Sequence, residues 1–119
     1  MSYVIKVDRD QDFYVVWSDM VEAPLMWGNR LQTLDYLRGA ALRPHGDPTN
    51  PEERVARADA HGSSALWPSP HAPIYGWDDS TLVYQQQGIL RWCNLRELCD
   101  RYTPEDQNPD VSDLLEPFE

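Results

Sequence analysis

The stretch HGSSALWPSPHAPIYGWDDS, residues 61–80, brings together His61, Ser63, Ser64, Ser69, His71, Asp78 and Asp79. These are the residue types of serine hydrolases and of metal sites. Nucleophilic catalysis needs a serine on a constrained elbow or helix start, a base within hydrogen-bond reach and donors for an oxyanion. The chain has no G-x-S-x-G, HGSS lacks a strand-turn-helix setting, and Pro68, Pro70 and Pro73 stiffen the segment in an extended form. His45, His61 and His71 are 16 and 10 residues apart, without the i,i+4 pair that sets two imidazoles on one helix face. A carboxylate site built from Glu22, Asp78 and Asp79 stays open, although a chain this acidic offers such combinations by chance. The enzyme alternative is a small hydrolase or metal-dependent enzyme using His61, His71 and Asp78.

The same stretch carries Trp67, Tyr75 and Trp77 between its prolines. Tryptophan and tyrosine dominate binding hot spots, and proline lowers the entropy lost in presenting them. These rings either lid the core or anchor a partner. The chain of 119 residues has 20 acidic and 10 basic side chains, a net charge of −10, and Lys6 as its single lysine. Such a surface repels a nucleic-acid backbone and favours a basic protein partner met by steered association. The preference for Arg over Lys points to a GC-rich source. No basic start leads into an apolar run and no 18 apolar residues are contiguous, so neither a secretory signal nor a membrane span is expected, and the cytoplasm is the natural compartment. Cys93 and Cys99 sit about 240° apart around one helix, too divergent to bridge; both are expected as free thiols. No cofactor or metal is expected.

Several elements must position these residues. YVIKV (3–7) and FYVVW (13–17) read as strands of a hairpin joined by DRDQD. Asp8, Asp10 and Asp12 have calcium-loop spacing with Asp19 at the twelfth position, but Phe13 stands where that loop needs glycine, so a solvated turn is expected. Asn29 and Gln32 form a capping-box start for a helix over 29–38, with Leu31, Leu34 and Leu37 along it and Gly39 as its stop. Asn50-Pro51-Glu52-Glu53 opens a short surface helix over 51–60, ended at Gly62. STLVYQQQG and ILRW read as strands around Gly88, followed by a helix over 94–102 in which Asn94 and Glu97 repeat the cap. LMWGNRLQTLD and LRWCNLRELCD share L-x-W-x-N-x-x-(Q/E)-x-x-D, through either an internal duplication or the same capping physics met twice.

The tail TPEDQNPDVSDLLEPFE predicts a helix near 104–116, whose Asp110, Asp113 and Glu116 form an acidic ridge over Val111, Leu114, Leu115 and Phe118. The expected fold is α+β: one small antiparallel sheet of three to five strands from 3–7, 13–22, 80–87 and 89–92, covered on one face by two main helices. A single domain is expected, with residues 43–79 as a long Pro-rich insertion and 103–119 as an acidic tail. An exposed edge strand also allows a homodimer.

SYVIKVDRDQDFYVVWSD, the WGNR helix start and the closing VSDLLEPFE resemble small uncharacterised proteins of actinobacteria and their phages. That resemblance implies no catalytic residues; it implies a partner in a phage–host or toxin–immunity conflict. The expectation is thus a small acidic non-enzymatic binding module, of inhibitor or immunity type. Trp67, Tyr75, Trp77, Asp110, Asp113 and Glu116 are its candidate contact residues.

Overall fold

The computed structural model describes residues 2–42, 50–64, 77 and 81–118. It is α+β, with two small antiparallel sheets and three helices. Strands β1 (Ser2–Lys6), β2 (Tyr14–Ser18) and β3 (Ala23–Gly28) form the first sheet in sequence order. Helices α1 (Arg30–Ala41) and α2 (Pro51–His61) follow. Strands β4 (Thr81–Tyr84), β5 (Gly88–Arg91) and the two-residue β6 (Leu115–Glu116) make the second sheet. Between β5 and β6 lie a 3-10 turn, Trp92–Asn94, helix α3 (Leu95–Asp100) and a second 3-10 turn, Ser112–Leu114.

The division into two sheets departs from the expected one, and β2 explains it. All five residues of YVVWS are buried, so this strand needs cover on both faces, as near-continuous apolar strands do. Side chains alternate across a strand. Val4, Tyr14 and Val16 therefore meet Leu34 and Leu37 of α1 and Val55 and Ala58 of α2. Ile5, Val15 and Trp17 point the other way, into a cluster with Leu82, Tyr84 and Leu90 of the second sheet and Leu95, Leu98 and Cys99 of α3. The helices expected over 29–38 and 94–102, here α1 and α3, thus serve opposite faces of the first sheet instead of sharing one. Trp17 and Tyr84 meet across this second interface with ring centroids 6.3 Å apart.

Capping chemistry sets the helix starts. At α1 the Asn29 side chain accepts from the Gln32 amide at 2.8 Å and the Gln32 side chain accepts from the Asn29 amide at 2.8 Å, a reciprocal capping box. Asp12 adds a bond from the Arg30 amide at 2.8 Å. The helix runs past Gly39 to Ala41, since one glycine lowers helix propensity by only about 1 kcal/mol. Asn50 caps α2 by accepting from the amides of Glu52 and Glu53, and Gly62 ends it at φ 89°. The expected repeat of the cap at Asn94 fails: a 3-10 turn precedes α3 and Asn94 makes no side-chain cap bond.

Two other expectations are corrected. The strand expected over 13–22 ends at Ser18, and a further strand, β3, forms through Pro24 as the sheet's outer strand, the position where proline is tolerated. A bulge leaves Leu25 as the extra residue between the pairs Val16–Met26 and Trp17–Pro24. The tail forms no helix over 104–116. Proline disfavours helical backbone in the residue before it, and Thr103, Asn108 and Glu116 each precede one. Burial of Val111, 2% exposed, and pairing of Leu115 with Leu90 then draw the tail onto β5 as a strand. Gly88 permits that pairing, because a Cβ there would lie 2.7 Å from the Glu116 carbonyl oxygen.

Candidate functional site

The serines and histidine at the start of the opening stretch have places in the fold. Gly62, Ser63 and Ser64 lie along the outer edge of β1. The Lys6 amide donates to the Gly62 carbonyl at 2.9 Å, and the Ser64 amide to the Val4 carbonyl at 2.9 Å. The Ser64 Oγ accepts from the Val4 amide at 2.9 Å, and Ser63 bridges Ile5. Ser63 and Ser64 are buried. This three-residue seal satisfies a strand edge that would otherwise invite pairing with another chain. The Ser64 hydroxyl is thereby committed to the backbone of β1. His61 sits exposed in the last turn of α2. His45, Ser69, His71, Asp78, Asp79, Trp67 and Tyr75 lie outside the described residues. Among the described residues no three His, Cys, Asp or Glu side chains converge as a ligand set.

Asp59 of α2 gathers three polar partners. Tyr14 donates its hydroxyl to it at 2.5 Å, and Lys6 and Arg30 approach at 3.7 and 3.4 Å. Burial, then the bond to Asp59, pushes the Tyr14 hydroxyl well above the ordinary range for tyrosine. The cluster draws on β1, β2, α1 and α2, and it fastens the helices to the sheet. Each polar partner is used, so the geometry is that of a latch.

Asp110, Asp113 and Glu116 of the tail are also engaged within the chain. Asp113 takes two bonds from the Arg101 guanidinium at 2.5 and 2.8 Å, and Glu116 one from Arg91 at 2.7 Å. Asp110 accepts from the Ser112 amide at 3.0 Å, while its carbonyl accepts from Arg101. Arg101 holds the Asp113 carboxyl below the usual carboxylate range, and the bonds to Ser112 do the same for Asp110. These carboxylates fasten β6 and its approach to β5 and α3.

Trp77 stands elsewhere. Half-buried, it packs against the core that β4, β5 and α3 share with the first sheet. It also lines a cleft of about 300 Å³ with Val7, Asp8, Arg9, Asp10, Trp92 and Cys93. The Arg9 guanidinium carbon lies 4.7 Å above the Trp77 ring, within the distance at which a cation is attracted to the negative face of an indole. The β1–β2 connection that supplies one wall is held in shape. The Asp8 side chain accepts from the Asp10 amide at 3.0 Å, and the Val7 amide donates to Phe13. Arg96 of α3 bonds Gln11 at 2.9 Å and stacks 4.4 Å over Phe13.

Two features single out this cleft. Trp77 has φ 63°, a left-handed conformation that costs a bulky residue roughly 1–2 kcal/mol and concentrates at functional positions. Among the described residues, the indole N–H groups of Trp77 and Trp92 are both buried without a hydrogen-bond partner, whereas buried donors are normally paired. Cys93 lines the cleft with an exposed thiol. Cys99 is buried in the core, and burial pushes its thiol up to about 12.

Sequence reasoning named Trp77 but missed Asp8, Arg9, Asp10 and Trp92 as its neighbours, because the acidic turn lies some 70 residues away in the chain. It also missed the tip of the β2–β3 turn. There Met20 and Val21 are 81% and 57% exposed, and the Ser18 hydroxyl accepts from both of their amides. The available signal was an apolar pair between two acids, Asp-Met-Val-Glu. No helix among the described residues is long and apolar enough to cross a membrane. No family model, curated protein or solved structure matches the chain, and the Trp77 cleft is therefore the ground on which its function is read.

Proposed function

We propose that this protein is a small acidic, non-enzymatic binding module that engages a basic surface of a protein partner, with the Trp77 cleft at the centre of contact. The observation that carries this reading is the cation already placed over Trp77 in a cleft that also presents Asp8 and Asp10. Aromatic side chains held rigidly in a partly desolvated pocket are what hot spots are made of. The net charge of −10 supplies the long-range field that speeds encounter with a positive partner. Since Asp113 and Glu116 are paired to Arg101 and Arg91, the tail adds to that field without providing the contact itself. Trp67 and Tyr75, which lie outside the described residues, remain further candidate contacts. The setting implied by the resemblance, a phage–host or toxin–immunity conflict, suits an inhibitor or immunity-type protein in the cytoplasm.

The test is affinity capture from the native host with the intact protein and with Trp77→Ala, identified by mass spectrometry. The reading expects a basic protein that the wild type retains, the variant loses, and raised salt releases. Equal recovery by both proteins would remove Trp77 from the interface.

A further inference from the structure

The turns that close the β2–β3 and β4–β5 hairpins are joined in the fold, because the Gln85 amide donates to the Glu22 carbonyl at 3.0 Å. The first of them exposes Met20 and Val21, at 81% and 57%. We propose that the joined turns form a second protein-docking surface, on which Met20 and Val21 enter an apolar pocket of a basic partner while Gln86 and Gln87 pair with peptide groups at the pocket's rim. None of these residues lines the Trp77 cleft, so the inference stands apart from that reading.

Apolar side chains on a loose loop lose much of their contact energy to ordering, and rigid presentation removes that loss. Here the backbone is fixed before any partner arrives. The Ser18 hydroxyl, on a residue only 7% exposed, accepts from the amides of Met20 and Val21 at 3.2 and 3.3 Å. In the second turn the Gln87 amide donates to the Tyr84 carbonyl at 2.8 Å, and the Gln87 side chain donates to that of Gln85 at 3.0 Å. Holding this shape costs free energy. Four non-glycine residues have left-handed backbone among those described, and Glu22, Gln85 and Gln86, at φ 56°, 46° and 59°, are three of them. Such strain gathers at ligand clamps and switch regions.

The chemistry of the surface names its occupant. Methionine is a flexible, polarisable apolar group that adapts to irregular recesses, and a pair raised on a turn fits a pocket of another molecule. Gln86 and Gln87 are exposed beside it, and a glutamine amide offers both a donor and an acceptor, the complement of a peptide group. Residues 18–23 and 84–88 contain no basic side chain, and the chain carries a net charge of −10. The field therefore favours a positive partner and opposes a second copy of this chain.

The experiment uses the full chain with methionine replaced by its photoreactive diazirine analogue, irradiated in a lysate of the native host, and mass spectrometry maps crosslinks to position 20. The protein captured there is purified and titrated with unlabelled wild type, Met20→Ser, Val21→Ser, Met20→Leu and Trp77→Ala, each shown to be folded by its amide spectrum. The two serine variants are expected to bind about tenfold or more weakly, as loss of a hot-spot anchor does. Met20→Leu should stay within about twofold of wild type, since a volume-conserving swap keeps the contact, and raised salt should weaken binding throughout. An affinity that either serine substitution leaves unchanged, or the absence of any crosslink at position 20, overturns the docking surface. A crosslink joining two copies of the chain, or an affinity indifferent to salt, overturns the basic partner. Weak binding by the serine variants beside wild-type binding by Trp77→Ala upholds this surface and removes the cleft as the contact centre; the reverse pattern overturns this surface and keeps the cleft.

Discussion

Replacing Ser64 by alanine separates a catalytic serine from a structural one. Ser64 Oγ is the partner of the Val4 amide at 2.9 Å, and Val4 is fully buried. Loss of the hydroxyl leaves that N–H with neither protein nor water to receive it, a desolvation penalty of about 1–3 kcal/mol. The Ser64 amide still donates to the Val4 carbonyl and the Lys6 amide to Gly62, so the seal on β1 weakens without opening completely. The expected loss is therefore the cost of one buried donor, about 1–3 kcal/mol, or roughly 4–12 °C in Tm for a chain of this size. Urea denaturation followed by tryptophan fluorescence measures the free energy, and hydrogen exchange at the Val4 amide locates it. A change below about 0.5 kcal/mol, the range of neutral surface substitutions, would refute the seal. It would also free Ser64 for another task.

Three further outcomes are expected. Gln85 and Gln86, with φ 46° and 59°, turn the β4–β5 hairpin without a glycine, so Gln86→Gly should stabilise the protein by about 0.5–1 kcal/mol in urea melts, the relieved strain exceeding the added chain entropy; destabilisation would show that the Gln86 side chain holds the turn. A thiol reagent should label Cys93 rapidly and leave Cys99 protected until denaturant is added, since only Cys93 is exposed and burial keeps Cys99 in its neutral form near neutral pH; equal rates would place Cys99 outside the core. Asp110 and Asp113 have carboxyls depressed below the ordinary value of 3.8, so their contribution is present above that value and lost as pH falls through their lower folded values; hydrogen exchange at Leu115 should accelerate in that acid window, and Asp113→Asn should make it fast already at neutral pH.

Much of the architecture is legible in local patterns. The two-sided apolar run of β2, the cap at Asn29 and the Asn-Pro-Glu-Glu start of α2 are each decided within a few residues, and they appear where expected. What escapes is non-local. β3 hides behind Pro24, tolerated only because that strand is the outermost. The tail looks helical until β5 offers an edge beside Gly88, and pairing then outweighs local propensity. The site follows the same rule. Trp77 is visible as an aromatic in a proline-rich stretch, and Arg9 as a basic residue in an acidic turn. Their meeting depends on β1 and the Trp92 corner coming together, which no short pattern encodes. Asp113 and Glu116 teach the converse: a ridge of acids read from spacing dissolves once Arg101 and Arg91 are in place.

The seal on β1 also has a consequence in time. Ser64 reaches Val4 across 60 residues of chain, a closure that forms slowly compared with the adjacent β1–β2 hairpin. During refolding, β1 therefore exists for an interval as an open row of backbone donors and acceptors beside the apolar β2, the surface on which unfolded chains pair with one another. Refolding yield should then fall with protein concentration, most steeply when the docking of α2 is delayed, and the residues 62–64 act as the protein's own guard against its first-formed strand.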